Sequence, residues 1–349
     1  VTAFGVSLAA IALAAGAGPV PQPKPLAAAV HDALTAPPVE GLSATVTLTN
    51  HLAEGANLAS GNGGEAGAFS SSPLLSGASG RLWIAKDGRA RLELQAEKGD
   101  TQVIYDGHTV RLYDASTNTL YRYTPEEGSA EAEGTEPEDH NQAPSEAKIE
   151  EAIARLRKHA DVSGANPTDV AGQPAYTVRI SPNEGGSLIG GVELSWDANH
   201  GVPLRAAVYS ATSSAPVIEL AADEVSYGPV DPSVFEFSPP PGVKVHEISG
   251  SRTGTSGTSP SGTSDSHPKV TTRGHGISQI AVVEKAASGS GSSLPKLPEG
   301  LPKVDINGTS ATELATPLGT VLSFERSGIG YLLLGSVTPS TIEAAARGL

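Results

Sequence analysis

No stretch of this chain narrows its possible folds as far as Gly190–Val245, where three consecutive runs alternate apolar and polar residues. A period of two puts successive side chains on opposite faces, which is the pattern of half-buried antiparallel strands. In the first run Val192, Leu194 and Trp196 fall on one face, and Asp197-Ala198-Asn199-His200-Gly201 supplies a turn. The second run covers Val202–Ser210 and the third Val217–Tyr227, with Thr212-Ser213-Ser214-Ala215-Pro216 between them. After a turn at Gly228-Pro229, Asp231-Pro232-Ser233 is placed to cap one short turn of helix. The stretch then ends on Phe235, Phe237 and Pro239-Pro240-Pro241-Gly242. None of this is a catalytic motif. It predicts a meander with one apolar face, and the functional question is what that face covers.

The flanking sequence extends the same pattern. Gly41–Asn50 alternates Leu42, Ala44, Val46 and Leu48 against Ser and Thr and reads as a strand. Gly80–Tyr123 reads as five short strands, the first two joined by Asp87-Gly88 and the next two by Gly107-His108. In it Leu82 and Ile84, Leu92 and Leu94, and Val103 and Tyr105 are expected to share the covered face. Pro174–Pro182 supplies a further strand. Two amphipathic helices are expected. Leu26–Ala36 carries Leu26, Val30 and Leu34 on one face and is stopped by Pro37-Pro38. Pro144–Ala160 carries Ile149, Ile153 and Leu156, with acidic residues early, basic residues late and Gly164 as its terminator. Ala53–Ser79 reads as a loose Gly/Ser-rich insertion and Glu126–Asp139, with seven acidic residues, as a solvated loop.

With 40 Gly and 27 Pro and an apolar share of only 38%, part of the chain must be linker. The clearest is Ser249–Gly276, nearly all Ser, Gly, Thr and Pro. Beyond it come a strand at Ile277–Lys285, a second linker to about Pro302, a hairpin of Leu318–Phe324 with Ile329–Val337, and a short helix Ser340–Arg347. These elements form either a small second domain or extra strands of the first sheet. At the other end, Val1–Val20 has no charged residue, and Ala3–Ala17 matches the apolar core of an export signal, with Ala15-Gly16-Ala17 as a cleavage site. The expected organisation is therefore an export signal or N-terminal anchor in residues 1–25, a main domain in 26–248, a linker in 249–276 and a C-terminal β-rich segment in 277–349.

Most catalytic chemistry is excluded by what the sequence lacks. There is no cysteine, hence no disulfide, thiolate metal site, cysteine nucleophile or lipidated N-terminal cysteine. The nine histidines are scattered without metal-ligand spacing, and no nucleophile elbow, phosphate loop or dinucleotide fingerprint occurs. Asp223-Glu224 are neighbours on a strand and are expected to face opposite ways, the wrong geometry for acid/base work. A net charge of −15 argues against nucleic acid. The reading is of a non-enzymatic protein with no metal and no cofactor.

The run VELSWDANHGVPLRAAVYS…VIEL…VSYGPVDPSVFEFSPPPGVKV resembles the closing strands of LolA-like lipoprotein carriers, particularly their actinobacterial group, and RLWIAKDGRARLELQAEKGDTQVIYDGHTVRLYDASTNTLYRY resembles that family's early strands. The most specific part is Asp231-Pro232-Ser233-x-Phe235 with Pro239-Pro240-x-Gly242. The resemblance covers residues 26–248 and implies a mainly β fold with a few α-helices: an unclosed, strongly curved antiparallel β-barrel whose helices cover the concave face. It implies an apolar cavity for acyl chains, an extracytoplasmic location and peripheral association with the membrane. On that reading Leu82, Ile84, Leu92, Leu94, Val103, Tyr105, Val192, Leu194, Trp196, Val208 and Phe237 line the cavity. Leu26, Val30, Leu34, Ile149, Ile153 and Leu156 belong to a lid. One departure stands out: the family's best-known carriers have an Arg-Pro pair where this chain has Lys86-Asp87-Gly88, so the role of that arginine does not transfer. The partners implied are acyl chains of lipids or lipoproteins. The linker before the C-terminal segment resembles instead the two-domain sigma-factor regulators of the RseB/MucB type, whose partner is a membrane-bound regulator.

Overall fold

A computed structural model describes residues 18–53, 73–96, 99–124, 143–248, 269–286, 294, 297 and 300–349. The apolar N-terminal segment as far as residue 17, the acidic loop, most of the Gly/Ser insertion and most of both linkers lie outside the described residues. Helix α1 (Leu26–Thr35) starts directly after Pro25 and ends before Pro37-Pro38. Strand β1 (Gly41–Asn50) follows, then a short helix α2 (Pro73–Ser76) and the five strands β2 (Ala78–Ala85), β3 (Ala90–Ala96), β4 (Gly99–Tyr105), β5 (Val110–Asp114) and β6 (Thr119–Tyr123). Pro73–Ser76 is thus helical, not loose, and the first residues of β2 also fall in the expected insertion.

Helix α3 (Glu146–Leu156) begins at Ser145, whose hydroxyl accepts from the Lys148 N–H. It ends earlier than Gly164 because Ala160–Val162 forms a strand, β7, paired with β9 (Gln173–Pro182), where Ala160 and Val162 are buried. A strand between them, β8 (Asn166–Val170), also pairs with β9. The three alternating runs of Gly190–Val245 form the meander β10 (Ile189–Asp197), β11 (Pro203–Ser210) and β12 (Pro216–Tyr227). Asp231 caps the one-turn helix Pro232–Phe235, its carboxylate accepting from the Ser233 N–H at 2.9 Å.

These strands make one thirteen-stranded sheet, large, curved and unclosed, because β1 joins the two meanders by pairing with β2 on one side and β12 on the other. The sheet is antiparallel except at one edge, where β13 (Lys244–Ile248) runs parallel to β6. The chain reaches that edge by crossing the sheet. Arg91 Nη1 donates to the Val234 and Glu236 carbonyls, and Phe237 rests 5.6 Å from the ring of Tyr113.

The C-terminal part forms its own six-stranded sheet, β14 (Lys269–Arg273), β15 (Ile280–Ala286), β16 (Lys303–Ile306), β17 (Thr309–Thr316), β18 (Gly319–Arg326) and β19 (Ile329–Gly335), with helix α4 (Pro339–Arg347) against it. Lys269–Arg273 falls inside the expected linker, but its Val-Thr-Thr run has the β-branched composition of a strand. Val282, Ile306, Leu322, Leu333, Val337 and Ile342 close a separate core, so these strands do not extend the first sheet. The Leu188 N–H donates to the Ser336 carbonyl at 2.7 Å and ties the two sheets together.

One residue of the second core is costly. Glu313, in β17, is 8% exposed, and its Oε2 has no hydrogen-bond partner among the described residues. Burial, with Glu343 nearby on α4, pushes its carboxyl above the usual range. A group raised in this way favours the fold below its unfolded pKa, and that contribution is lost as pH rises through its folded value. Glu313→Gln is therefore expected to raise the melting temperature of the protein at pH 7 by about 2–5 °C. In thermal melts the gain should shrink as the pH is lowered toward 4, and a gain constant with pH would show that the charge is not the cause.

Candidate functional site: an apolar groove between the helices

Cross-strand register sorts the large sheet into two unlike faces. On one face Leu194 and Val192 of β10 lie opposite Ala206 and Val208 of β11, and the row continues through Leu220 of β12, Leu48 of β1 and Ala78 of β2. A parallel row runs from Val225 through Ala44, Leu82, Leu92 and Val103 to Leu112. Of the residues expected to line a cavity, Leu82, Ile84, Leu92, Leu94, Val103, Tyr105, Val192, Leu194, Trp196 and Val208 all share this face. Phe237 does not. It packs on Tyr113, which the register puts on the other side. The reason is the crossing of the chain after β12, which no strand period reveals.

The apolar face is covered unequally. At one end α1 and α3 lie over it, and Leu26, Ala29, Ile149 and Ile153 bury Tyr176, Val178 and Trp196. Trp196, 5% exposed and 6.1 Å from the Tyr176 ring, is thus part of the helix–sheet core and no wall of an open cavity. Val30 packs at the margin of that core, while Leu34 and Leu156 point out to solvent at 55% and 40% exposure. Gly201, at φ +68°, lets α1 approach so closely that a Cβ there would sit 2.2 Å from the Ala33 carbonyl oxygen. His31 Nδ1 lies 3.0 Å from the Pro144 carbonyl and Lys24 pairs with Asp32, which fasten α1 to the start of α3 and to itself.

Between that covered end and the α2 end, where Leu74 packs at the margin of a cluster of Leu42, Ala44, Val46 and Leu94, the face lies open. A groove of about 210 Å³ runs there, walled chiefly by Leu42, Ala44, Leu82, Ile84, Leu220 and Val225. Val192 and Leu194 extend the apolar surface past it at 39% and 41% exposure. Most of these walls come from β1 and β12, whose apolar residues the sequence marks but whose pairing it does not. Lys86, at the position where the resembling family has arginine, pairs with Glu40 beside β1.

The opposite face is charged. Glu193 accepts from Arg179, Arg205 and Tyr209 at 3.0, 2.8 and 2.7 Å, and Arg205 also pairs with Glu219. Burial alone would raise the Glu193 carboxyl, but those three donors hold it below the usual range. Asp223 and Glu224 both stand on this face, against the expectation from alternation. A β-bulge in the β1–β12 pairing, between Thr45 and Val46, places the two successive acidic residues together.

No family model matches this sequence, and no curated protein does. Among solved structures the chain is similar to MucB in its complex with MucA from Pseudomonas aeruginosa, at 14% identity and a TM-score of 0.44 over 91% of this chain and 95% of that one. It is also similar to a domain of a lipoprotein-sorting protein of the outer membrane from Vibrio parahaemolyticus (10% identity, TM-score 0.23, 60% of this chain and 94% of that one). A LolA superfamily protein from Nitrosomonas europaea is a third (8% identity, TM-score 0.20, 91% and 97%).

Proposed function

We propose that this chain is a non-enzymatic extracytoplasmic carrier that shelters an acyl chain of a lipid or lipoprotein in the apolar groove. One observation carries the reading: the face that binds α1 and α3 at one end continues, without change of character, into an uncovered apolar trough. An apolar face left open in this way is a binding site by default. A cavity of ~150 Å³ holds a molecule of benzene, so a groove of about 210 Å³ takes one chain in part and not two or three. Eight methylenes at ~0.8 kcal/mol each contribute about 6 kcal/mol, which corresponds to a dissociation constant of tens of micromolar. That is weak enough for release. Deeper insertion requires α1 and α3 to shift as a lid.

Titration of delipidated protein with a fluorescent acyl probe tests this. Leu220→Asp, in the groove wall, and Ala206→Trp, which fills the groove mouth, should each weaken binding tenfold or more and leave the fold intact by circular dichroism. Affinity unchanged from that of the wild-type protein in both variants would end the proposal. A second reading, a sensor that reports lipid to a membrane-bound regulator, is favoured by the separate C-terminal sheet with its own core. In that case the same acyl probe, once bound, should change the hydrogen exchange of residues 183–188, where the two sheets meet.

A further inference from the structure

The three strands that wall the groove, β12, β1 and β2, also carry a polar cleft on their reverse side. Ser43, Thr45, Arg81, Trp83, Glu224 and Ser226 line a depression of about 300 Å³. A second, of about 540 Å³, continues from Thr45 and Arg81 to Ser79, Glu93 and Gln95. Register explains the arrangement: Ser226, Ser43 and Trp83 are cross-strand neighbours in one row, and Glu224, Thr45 and Arg81 in the next. The bulge in β12 matters here, because it turns Asp223 and Glu224 to the same side. Asp223 is then held by the Thr47 hydroxyl at 2.8 Å and Glu224 is left for the cleft.

Elsewhere on this face the charged groups pair with one another. Arg91 is bound to Glu93, Gln102 and two carbonyls, and Arg205, Glu193, Arg179 and Tyr209 are bound to one another. In the cleft, by contrast, Arg81, Glu224, Ser43, Thr45 and Ser226 make no side-chain hydrogen bond or ion pair among the described residues, and Trp83 stacks on no ring. A half-buried indole beside three hydroxyls, one free guanidinium and one free carboxylate offers an apolar platform ringed by both donors and acceptors.

We propose that this cleft binds a neutral oligosaccharide, with the apolar face of one pyranose ring on Trp83 and its hydroxyls shared between Glu224 and Arg81. The balance of charge selects against the alternatives. A phosphate or sulfate would meet Arg81 but also Glu224, with Glu93 on the next strand. A cation would meet Glu224 but also Arg81. A ring of hydroxyls can donate to one and accept from the other. The protein would then hold an acyl chain on one side of three strands and a glycan on the other.

The chain has two tryptophans, and Trp196 is buried under α1 and α3, so collisional quenching of fluorescence reads Trp83. Quenching by acrylamide should be measured on the full chain with millimolar maltotetraose, mannotetraose and chitotetraose, and with sodium sulfate. Protection of Trp83 by at least one oligosaccharide is the expected result. Its affinity, followed by calorimetry, should fall tenfold or more in Trp83→Ala and severalfold in Glu224→Gln. Leu220→Asp should leave it unchanged. Glu224→Gln is isosteric and exposed to solvent in the cleft, so it keeps the test decisive if Trp83→Ala fails to fold. Protection by sulfate alone, protection by none of the three oligosaccharides, or an affinity insensitive to Glu224→Gln would overturn the proposal.

Discussion

Gly201→Val is expected to destabilise the protein by about 3–5 kcal/mol and to lift α1 from the sheet. Gly201 has φ +68°, a conformation in which a β-branched residue is strained by ~1–3 kcal/mol. Strain alone does not reach the full figure. The new Cβ would also stand 2.2 Å from the Ala33 oxygen and 2.8 Å from its carbonyl carbon, both backbone atoms that no rotamer change can move aside. Relief requires α1 to retreat, and α1 brings Leu26, Ala27 and Ala29 to the core around Tyr176 and Trp196. Gly88→Val is the control. That glycine has φ +85° in the β2–β3 turn, and a Cβ added there would meet nothing within 4 Å, so only the strain applies. Chemical denaturation should rank Gly201→Val well below Gly88→Val, and acrylamide should reach Trp196 in the first variant only. If the two glycines prove equally costly, close packing at Gly201 is not what holds α1 on the sheet.

The strands were legible because each carries its own alternation and its own turn. Trp196 to Val192 on one face, with Asp197–Gly201 behind them, fixes β10 within a residue or so, and Asp87-Gly88 fixes the β2–β3 hairpin equally well. What joins the hairpins is not local. Leu42 lies opposite Tyr227 and Ile84 at once, and nothing in the long intervening chain announces that β1 stands between β12 and β2. The groove walls Leu42, Leu220 and Val225 therefore read as ordinary strand residues until the sheet is assembled. The bulge at Asp223 is hidden for a related reason, since an extra residue is defined only by the partner strand that lacks one. Helix α3 shows the opposite error. Its charge pattern continues to His159, yet Ala160 and Val162 gain more by pairing with β9 and burying themselves under the helices than by adding another helical turn.

Asp197→Ala should be comparably damaging, at about 3–5 kcal/mol, and its pH dependence identifies the cause. Asp197 is fully buried at the end of β10, where the helix-covered core gives way to the groove. Its carboxylate accepts from the Tyr227 hydroxyl at 2.7 Å and from the Asn199 and His200 backbone N–H groups at 2.7 and 2.9 Å. His200 Nδ1 lies 3.2 Å from Oδ2, and its ring is 4.0 Å from that of Tyr227. Burial pushes the Asp197 carboxyl up, but the bonds from Tyr227 and the two N–H groups more than offset it and hold the group below its ordinary value. Burial and the same carboxylate drive the Tyr227 hydroxyl the other way, well above its usual range, so it stays a donor. A carboxyl lowered by the fold contributes stability that is present above its unfolded pKa, ~3.9, and is lost as pH falls through the folded value. Truncation to alanine orphans three donors at once, whereas Asp197→Asn retains an acceptor for the turn and should lose less. Denaturation midpoints measured from pH 7 down to pH 3 should therefore draw together for the wild-type protein and Asp197→Asn below pH ~3.9, where the unfolded carboxyl takes up its proton before the native one. Curves that stay parallel across that range would mean that the charge of Asp197 contributes nothing, and that the turn is held by shape alone.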